Sequence, residues 1–204
     1  MLFASFFNSD NTEIVESTYT DLYQYKAYIG KHDIVTNTKS SYWFVDQNIV
    51  SCMTGQNENI KSNILCVEIF GYTPEHRTST YHKYTDLPYI NGCSSKQLIP
   101  PNRLGDPTWQ MLYIPEHTSE QEHHIHSTTR IVYVAKGYGL SHVGTKNKVT
   151  LTELHPGKII ILDKMVPHHF STTDSDLLVI PLHIFSSVGS SEQNHPMFNG
   201  THRI

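Results

Sequence analysis

The run from Glu122 to Gly137 constrains this chain most. It opens with imidazoles at His123, His124 and His126, passes into the β-branched stretch Ile131-Val132-Tyr133-Val134 and stops at glycine. Successive side chains of an extended strand alternate between faces, so His124 and His126 point one way and Ile125 the other. Two imidazoles on one face of one strand are half a metal site. The chain has 14 histidines in 204 residues, so a His-x-His triplet arises by chance about once. Requiring a glycine eleven positions beyond the second histidine, as Gly137 lies beyond His126, lowers that expectation to about 0.05.

A third histidine arrives from a later strand. After Gly144-Thr145-Lys146-Asn147 come the alternating run Val149 to Leu154, the break His155-Pro156-Gly157, the apolar run Ile159 to Leu162, and Val166-Pro167-His168-His169-Phe170. Short strands punctuated by Gly, Pro and Asn predict an antiparallel sandwich or barrel. Three inward imidazoles at His124, His126 and His168 would occupy one face of a transition-metal ion and leave positions for water, oxygen or substrate. The alternative for each is an exposed or hydrogen-bonded histidine. His123 and His169, on the opposite strand faces, are assigned structural roles. His183 on the last strand is either a hydrogen-bond donor behind the ligands or a core residue.

This pattern resembles the cupins. Their first motif runs glycine, five residues, His-x-His, three or four residues, Glu, six residues, Gly. It is kept at His124, His126 and Gly137, with Thr118 at the leading glycine and Arg130 at the glutamate. The second motif runs Gly, five residues, Pro-x-Gly, two residues, His, three residues, Asn. It keeps Gly157 and His168, with Asp163, Met165 and Thr172 in the other places. The resemblance covers about residues 105 to 185. It implies an all-β fold, a cupin-type antiparallel double-stranded β-helix or jelly-roll barrel with an N-terminal extension, and a divalent transition metal in its mouth: iron first, with zinc, nickel or manganese as alternatives.

Arg130 is the informative departure. A guanidinium has no acceptor lone pair and cannot bind a cation as the motif glutamate does. If it points inward beside a divalent ion, like charges repel unless an anion or a carboxylate lies between. Arg130 is therefore expected either to grip a substrate carboxylate or phosphate or to pair structurally with Glu122 or Glu153. Glu122, two residues before His124, is also a candidate replacement ligand or base.

A three-histidine set without a carboxylate looks like the thiol-dioxygenase branch of the cupins. That resemblance implies ferrous iron binding oxygen and substrate together, with an arginine on the substrate carboxylate. Arg130, Glu122 and His183 are the candidate catalytic residues. The first expectation is a metal-dependent oxygenase acting on a small anionic molecule; the second is a non-catalytic binding or sensing module; isomerase or lyase chemistry and a barrel that has lost its metal remain open. Fold does not select among these. No serine or cysteine sits in a recognisable nucleophile elbow.

For the rest of the chain the expected division is an extension over 1–37, added strands and a Pro-rich connector over 38–108, the core over 109–185 and a tail over 186–204, all in one structural domain. Thr20 to Tyr28 is read as a short helix. Tyr42 to Val45 and Ile64 to Phe70 are expected to pair as a hairpin across the loop at 54–59, and 73–108 to wrap the barrel as a loop or lid. Trp109 to Pro115 and Leu177 to Phe185 read as strands. The tail, with His195 and His202, is expected to be solvated, contact with the site being the alternative.

Composition narrows the partners. A net charge of -4 with no basic run gives no electrostatic reason to expect nucleic acid or an anionic membrane. No apolar run has membrane-spanning length. Cys52, Cys66 and Cys93 lack Cys-x-x-Cys spacing and read as buried thiols in a reducing cytoplasm. The Asn199-Gly200-Thr201 glycosylation signal is discounted accordingly. A homodimer is the expected assembly, by analogy with cupins that pair through edge strands.

Overall fold

The computed structural model describes residues 4–17, 22–82, 87–103, 105–145 and 147–185. The first strands are β1 (Ala4–Asn8), β2 (Glu13–Glu16), β3 (Tyr25–Ile29), β4 (His32–Val35), β5 (Ser40–Asp46), β6 (Ile49–Thr54), β7 (Asn59–Ser62), β8 (Leu65–Phe70) and β9 (Arg77–Thr80). They are followed by β10 (Leu87–Pro88), β11 (Ser94–Ile99), β12 (Thr108–Ile114), β13 (Thr128–Gly137), β14 (Gly139–Thr145), β15 (Lys148–Leu154), β16 (Lys158–Leu162), β17 (His168–Ser171) and β18 (Leu177–Phe185).

The strands form a seven-stranded sheet ordered β1-β16-β13-β18-β12-β11-β10, a three-stranded sheet β15-β14-β17, a six-stranded sheet β2-β3-β8-β5-β6-β9 and the pair β4-β7. Side-chain alternation gives the seven-stranded sheet two apolar faces. Ile131, Tyr133, Ile159, Ile161, Ile180 and Leu182 join a cluster with Trp43, Val67 and Ile69 of the six-stranded sheet. Val132, Val134, Ile160, Leu162 and Val179 join Leu154, Val166 and Phe170 of the opposite wall. The seven-stranded sheet is thus the middle of three layers, and the second cluster fills the barrel. Burying each Ile, Val or Leu side chain in these layers contributes about 1.5–3 kcal/mol.

This layering explains a feature of the sequence. Strand β16 is a run of isoleucines and leucine because both of its faces are covered, which removes the polar alternation of a solvated strand. It also sets the direction of two site residues. Arg130 pairs in register with His183 across β13 and β18. Arg130 shares the parity of Val132 and Val134, and His183 that of Val179, so both side chains are carried into the barrel.

Three expectations for the first half are corrected. Tyr25 to Tyr28 is strand β3, not helix, because its alternately buried Tyr25, Ala27 and Ile29 pack into the six-stranded sheet; residues 18–21 lie outside the described residues. The runs 42–45 and 64–70 do pair, as β5 with β8. They are not a hairpin, because β6 makes the tight turn with β5 and β7 intervenes. The connector at 73–108 contributes β9, β10 and β11, with β11 extending the middle sheet beside β12. The predicted strand beginning at Trp109 is β12, and Leu177–Phe185 is β18. The segment called an extension also supplies β1, which pairs with β16 as an edge of the middle sheet. The three cysteines are buried and free. Residues 186–204, with His195, His202 and the glycosylation signal, lie outside the described residues. No helix among the described residues is long and apolar enough to cross a membrane.

Gly137 ends β13 at φ +78°, where an added Cβ would fall 1.8 Å from the Asp176 carbonyl oxygen. Both the left-handed backbone and the close approach require glycine. The Gly137→Ala substitution is expected to destabilise the chain by about 2 kcal/mol or more, since strain and displaced backbone add. Urea unfolding checks this, and an unchanged midpoint would remove the stated reason for glycine at this place.

Candidate metal centre

Two chain segments bring the histidines together. His124 and His168 face each other in an isolated antiparallel bridge. The His124 amide donates to the His168 carbonyl at 3.2 Å, and the His168 amide to the His124 carbonyl at 2.9 Å. The bridge holds both Cα atoms at fixed spacing, and His126 lies two residues further along the same extended segment. One donor atom from each of His124, His126 and His168 lies within 4.8 Å of the others. The ring centroids are 4.5 Å apart for His124 and His126, 4.7 Å for His124 and His168, and 5.4 Å for His126 and His168.

The protonation pattern suits a cation. His168 Nδ1 lies 2.7 Å from the Val166 carbonyl and His124 Nδ1 2.9 Å from the Glu122 carbonyl. A carbonyl only accepts, so each Nδ1 carries the proton and each Nε2 a lone pair. The Nε2 atoms of His126 and His168 are buried without a hydrogen-bond partner. Orphaned buried imine nitrogens are costly, and a shared metal would satisfy them. The donor set therefore fits a divalent transition metal.

Burial, reinforced by the positive charge of Arg130, pushes the His126 imidazole down to about 2. Burial also takes His168 down to about 3 against the help of the Val166 carbonyl. His124 is lowered mainly by burial, and so is His183, which is also fully enclosed. The fold therefore holds these rings against protonation, while in the unfolded chain they take up protons near pH 6.5. The unfolded state therefore binds more protons below that pH, and stability falls with acid. Glu120 works in the opposite sense, because its raised pKa makes stability fall as pH rises through about 4.5 to 7. One carboxyl is outnumbered by four imidazoles. The melting temperature of the metal-free protein is expected to drop from pH 7 to pH 5, as thermal unfolding in chelator will show; a flat or rising profile would contradict this assignment.

Glu120 is the site residue that sequence reasoning missed. It is only 4% exposed, and its Oε1 accepts from the Phe170 amide at 3.1 Å. Burial pushes its pKa up to about 7 despite the opposing pull of Arg130 and the Phe170 amide. Its charge, not that of Glu122 or Glu153, is the chief negative field at Arg130. Glu120 lies in the segment before β13, ten residues from Arg130, where no spacing rule looks for it.

Arg130 makes no ion pair among the described residues, and its Nε is buried without an acceptor. Burial lowers its pKa to about 10, which leaves it charged at neutral pH. Buried Glu68, elsewhere in the fold, shows the usual treatment of an enclosed charge. It accepts from the Tyr28 hydroxyl at 3.1 Å, the Tyr42 hydroxyl at 2.9 Å and Asn37 Nδ2 at 2.8 Å. Arg130 has no such set. The structural pairing with Glu122 or Glu153 expected as one alternative is corrected. Glu122 is exposed and gives His124 its backbone carbonyl. Glu153 lines a 620 Å³ cavity with Tyr138, Leu140 and His155, away from the three histidines. His183 lies deep in the barrel, with an unpartnered Nε2 and electrostatic contact to Arg130, His126 and His168.

Comparison with known proteins gives the same fold. Residues 110–185 match the family described as Cupin domain. No curated protein sequence matches the chain. The cupin 2 conserved barrel domain protein from Leptotrichia buccalis superposes with a TM-score of 0.55 at 12% identity, over 84% of this chain and 89% of that one. HEPD from Streptomyces albus, solved with 2-hydroxyethylphosphonate and Fe(II) bound, gives 0.59 at 6% identity, over 95% and 80%. Oxalate decarboxylase gives 0.54 at 7% identity, over 90% and 78%. At these identities the likeness is one of fold.

Proposed function

We propose, from the premise that residues 110–185 are a cupin domain, that this chain is a metal-dependent enzyme, an oxygenase using non-haem iron on a small anionic substrate. One observation carries the reading: a half-buried, charged Arg130, its enclosed Nε without an acceptor, shares the barrel with three neutral imidazoles. A buried cation beside a divalent ion is stable only with an anion between them.

His124, His126 and His168 would hold the metal through nitrogen donors. Iron, when bound, would supply open positions at which oxygen and substrate meet. Arg130 binds the anionic group of the substrate through charge-assisted hydrogen bonds and so orients it. Glu120, with its pKa near 7, can hold or release a proton at its carboxyl oxygen near neutral pH. Val132, Leu162 and Val179 keep water from the inner end of the site. HEPD shares the fold, and its structure holds an anionic substrate with Fe(II), which agrees with this reading.

A binding module is the second reading. The exchange of the motif glutamate for Arg130 favours it, since it leaves no carboxylate among the grouped metal donors. The test starts with metal analysis of untagged protein. Anaerobic Fe(II) loading and oxygen uptake against small carboxylates, phosphonates and thiols follow. Substrate-dependent uptake supports the oxygenase. Metal and anion binding without uptake selects the binding module, and neither metal nor anion binding ends both readings.

A further inference from the structure

We infer that His123 and His169 form a second divalent-cation site on the outer face of the small sheet, back to back with the first, suited to Cu(II) or Ni(II). The inference stands apart from the proposed oxygenase activity, because it uses none of the barrel's donors.

The bridge between His124 and His168 carries a histidine pair on each face. Where those two residues turn inward, their neighbours His123 and His169 turn outward and meet at the next position of the register. The Nδ1 atoms of His123 and His169 lie 2.9 Å apart, with their rings edge to face at 85°. Two nitrogens at that spacing and about 2.0–2.1 Å from one ion subtend about 90°. That is the cis angle of a tetragonal ion such as Cu(II) or Ni(II); a tetrahedral ion needs a wider spacing.

The tautomers can be read from the partners. His123 Nε2 faces the Gly144 carbonyl and must donate to it, which leaves Nδ1 with a lone pair. His169 Nδ1 then donates to His123 Nδ1, and its own Nε2 carries the other lone pair. A cation arriving between the two Nδ1 atoms moves the His169 proton to Nε2, so binding requires no net deprotonation. The Gly144 carbonyl orients the His123 ligand from behind, as partners of metal-binding imidazoles commonly do.

His142 is a buttress and not a ligand. Its ring stacks on His169 at 4.0 Å with planes 16° apart, so its lone pair lies in a nearly parallel plane displaced from that of His169 and does not converge with it on one ion. Its Nε2 lies 2.7 Å from Ser171 Oγ, which fixes the stack.

The test is Cu(II) titration of the untagged full chain, followed by calorimetry and electron paramagnetic resonance. In a background of His124→Ala, His126→Ala and His168→Ala, one equivalent of Cu(II) is expected to bind, with hyperfine structure from two imidazole nitrogens. Adding His123→Ala or His169→Ala is expected to weaken it at least about tenfold, whereas His142→Ala leaves the two-nitrogen signature. No binding in the background overturns the site. So does binding that persists undiminished without His123 and His169, which would show an adventitious ion only. If the triple variant does not fold, wild type is expected to bind two equivalents and His169→Ala one; equal stoichiometry overturns the inference.

Discussion

Replacing His168 with alanine is expected to lower affinity for a divalent transition metal by at least about 100-fold, since loss of a mere outer partner of a ligand already costs about 10–100-fold. His168 is the most enclosed of the three donors, at 2% exposure, and the only one from the second chain segment. Without it the ion keeps two imidazoles from a single stretch and loses the crossing contact that makes the site a cage. The substitution keeps the backbone bonds to His124, which belong to the amide and carbonyl. It also deletes a buried nitrogen without a partner, which offsets part of the cost of the cavity. The metal-free variant should therefore melt close to the metal-free parent while metal content after dialysis collapses. Retention of a full equivalent of barrel metal in His168→Ala would show that the three rings do not act together.

The Arg130→Met substitution is expected to split two quantities that usually fall together. Losing the guanidinium should weaken binding of the anionic ligand by about 100-fold, about the worth of a charge-assisted hydrogen bond in an enclosed site. In the absence of ligand the protein should be as stable as the parent or more so, because a half-buried guanidinium whose enclosed Nε lacks an acceptor is replaced by an apolar chain of similar length. Glu120 does not become a stranded charge. With Arg130 gone, the influence that holds its pKa down is lost, and the carboxyl takes a proton. Binding isotherms with small carboxylates and phosphonates, together with thermal unfolding, measure the two arms. A large loss of stability with ligand affinity intact would make Arg130 a structural residue.

The barrel and its histidines were legible because alternation is a local property. His124 and His126 share a face by the geometry of an extended chain, and the glycine that ends β13 marks a turn that other residues cannot make. The first half was harder to read. Tyr25 to Tyr28 carries tyrosines and a lysine that read as indifferent to strand or helix, and only packing on β8 decides the matter. The β5 and β8 pairing is long-range, and the shorter-range partner β6 hides it. Glu120 was invisible for a related reason. What makes it a site residue is its burial, its bond from the Phe170 amide and its field on Arg130, none of which follows from position in the chain. Taken one at a time, His123 and His169 read as structural. Their meeting is a property of the bridge that joins two segments 46 positions apart.

The middle sheet, apolar on both sides, sets the smallest piece of this chain that can be handled alone. A fragment trimmed to residues 105–185 keeps every imidazole of the triad yet strips the cover from Ile131, Tyr133, Ile180 and Leu182 and removes the β1 edge beside β16. Such a fragment would present a broad greasy wall and an open strand to its own copies, the recipe for precipitation. The first hundred residues, which carry none of the triad, therefore act as a built-in solubility jacket, and expression trials seeking a minimal version should preserve them.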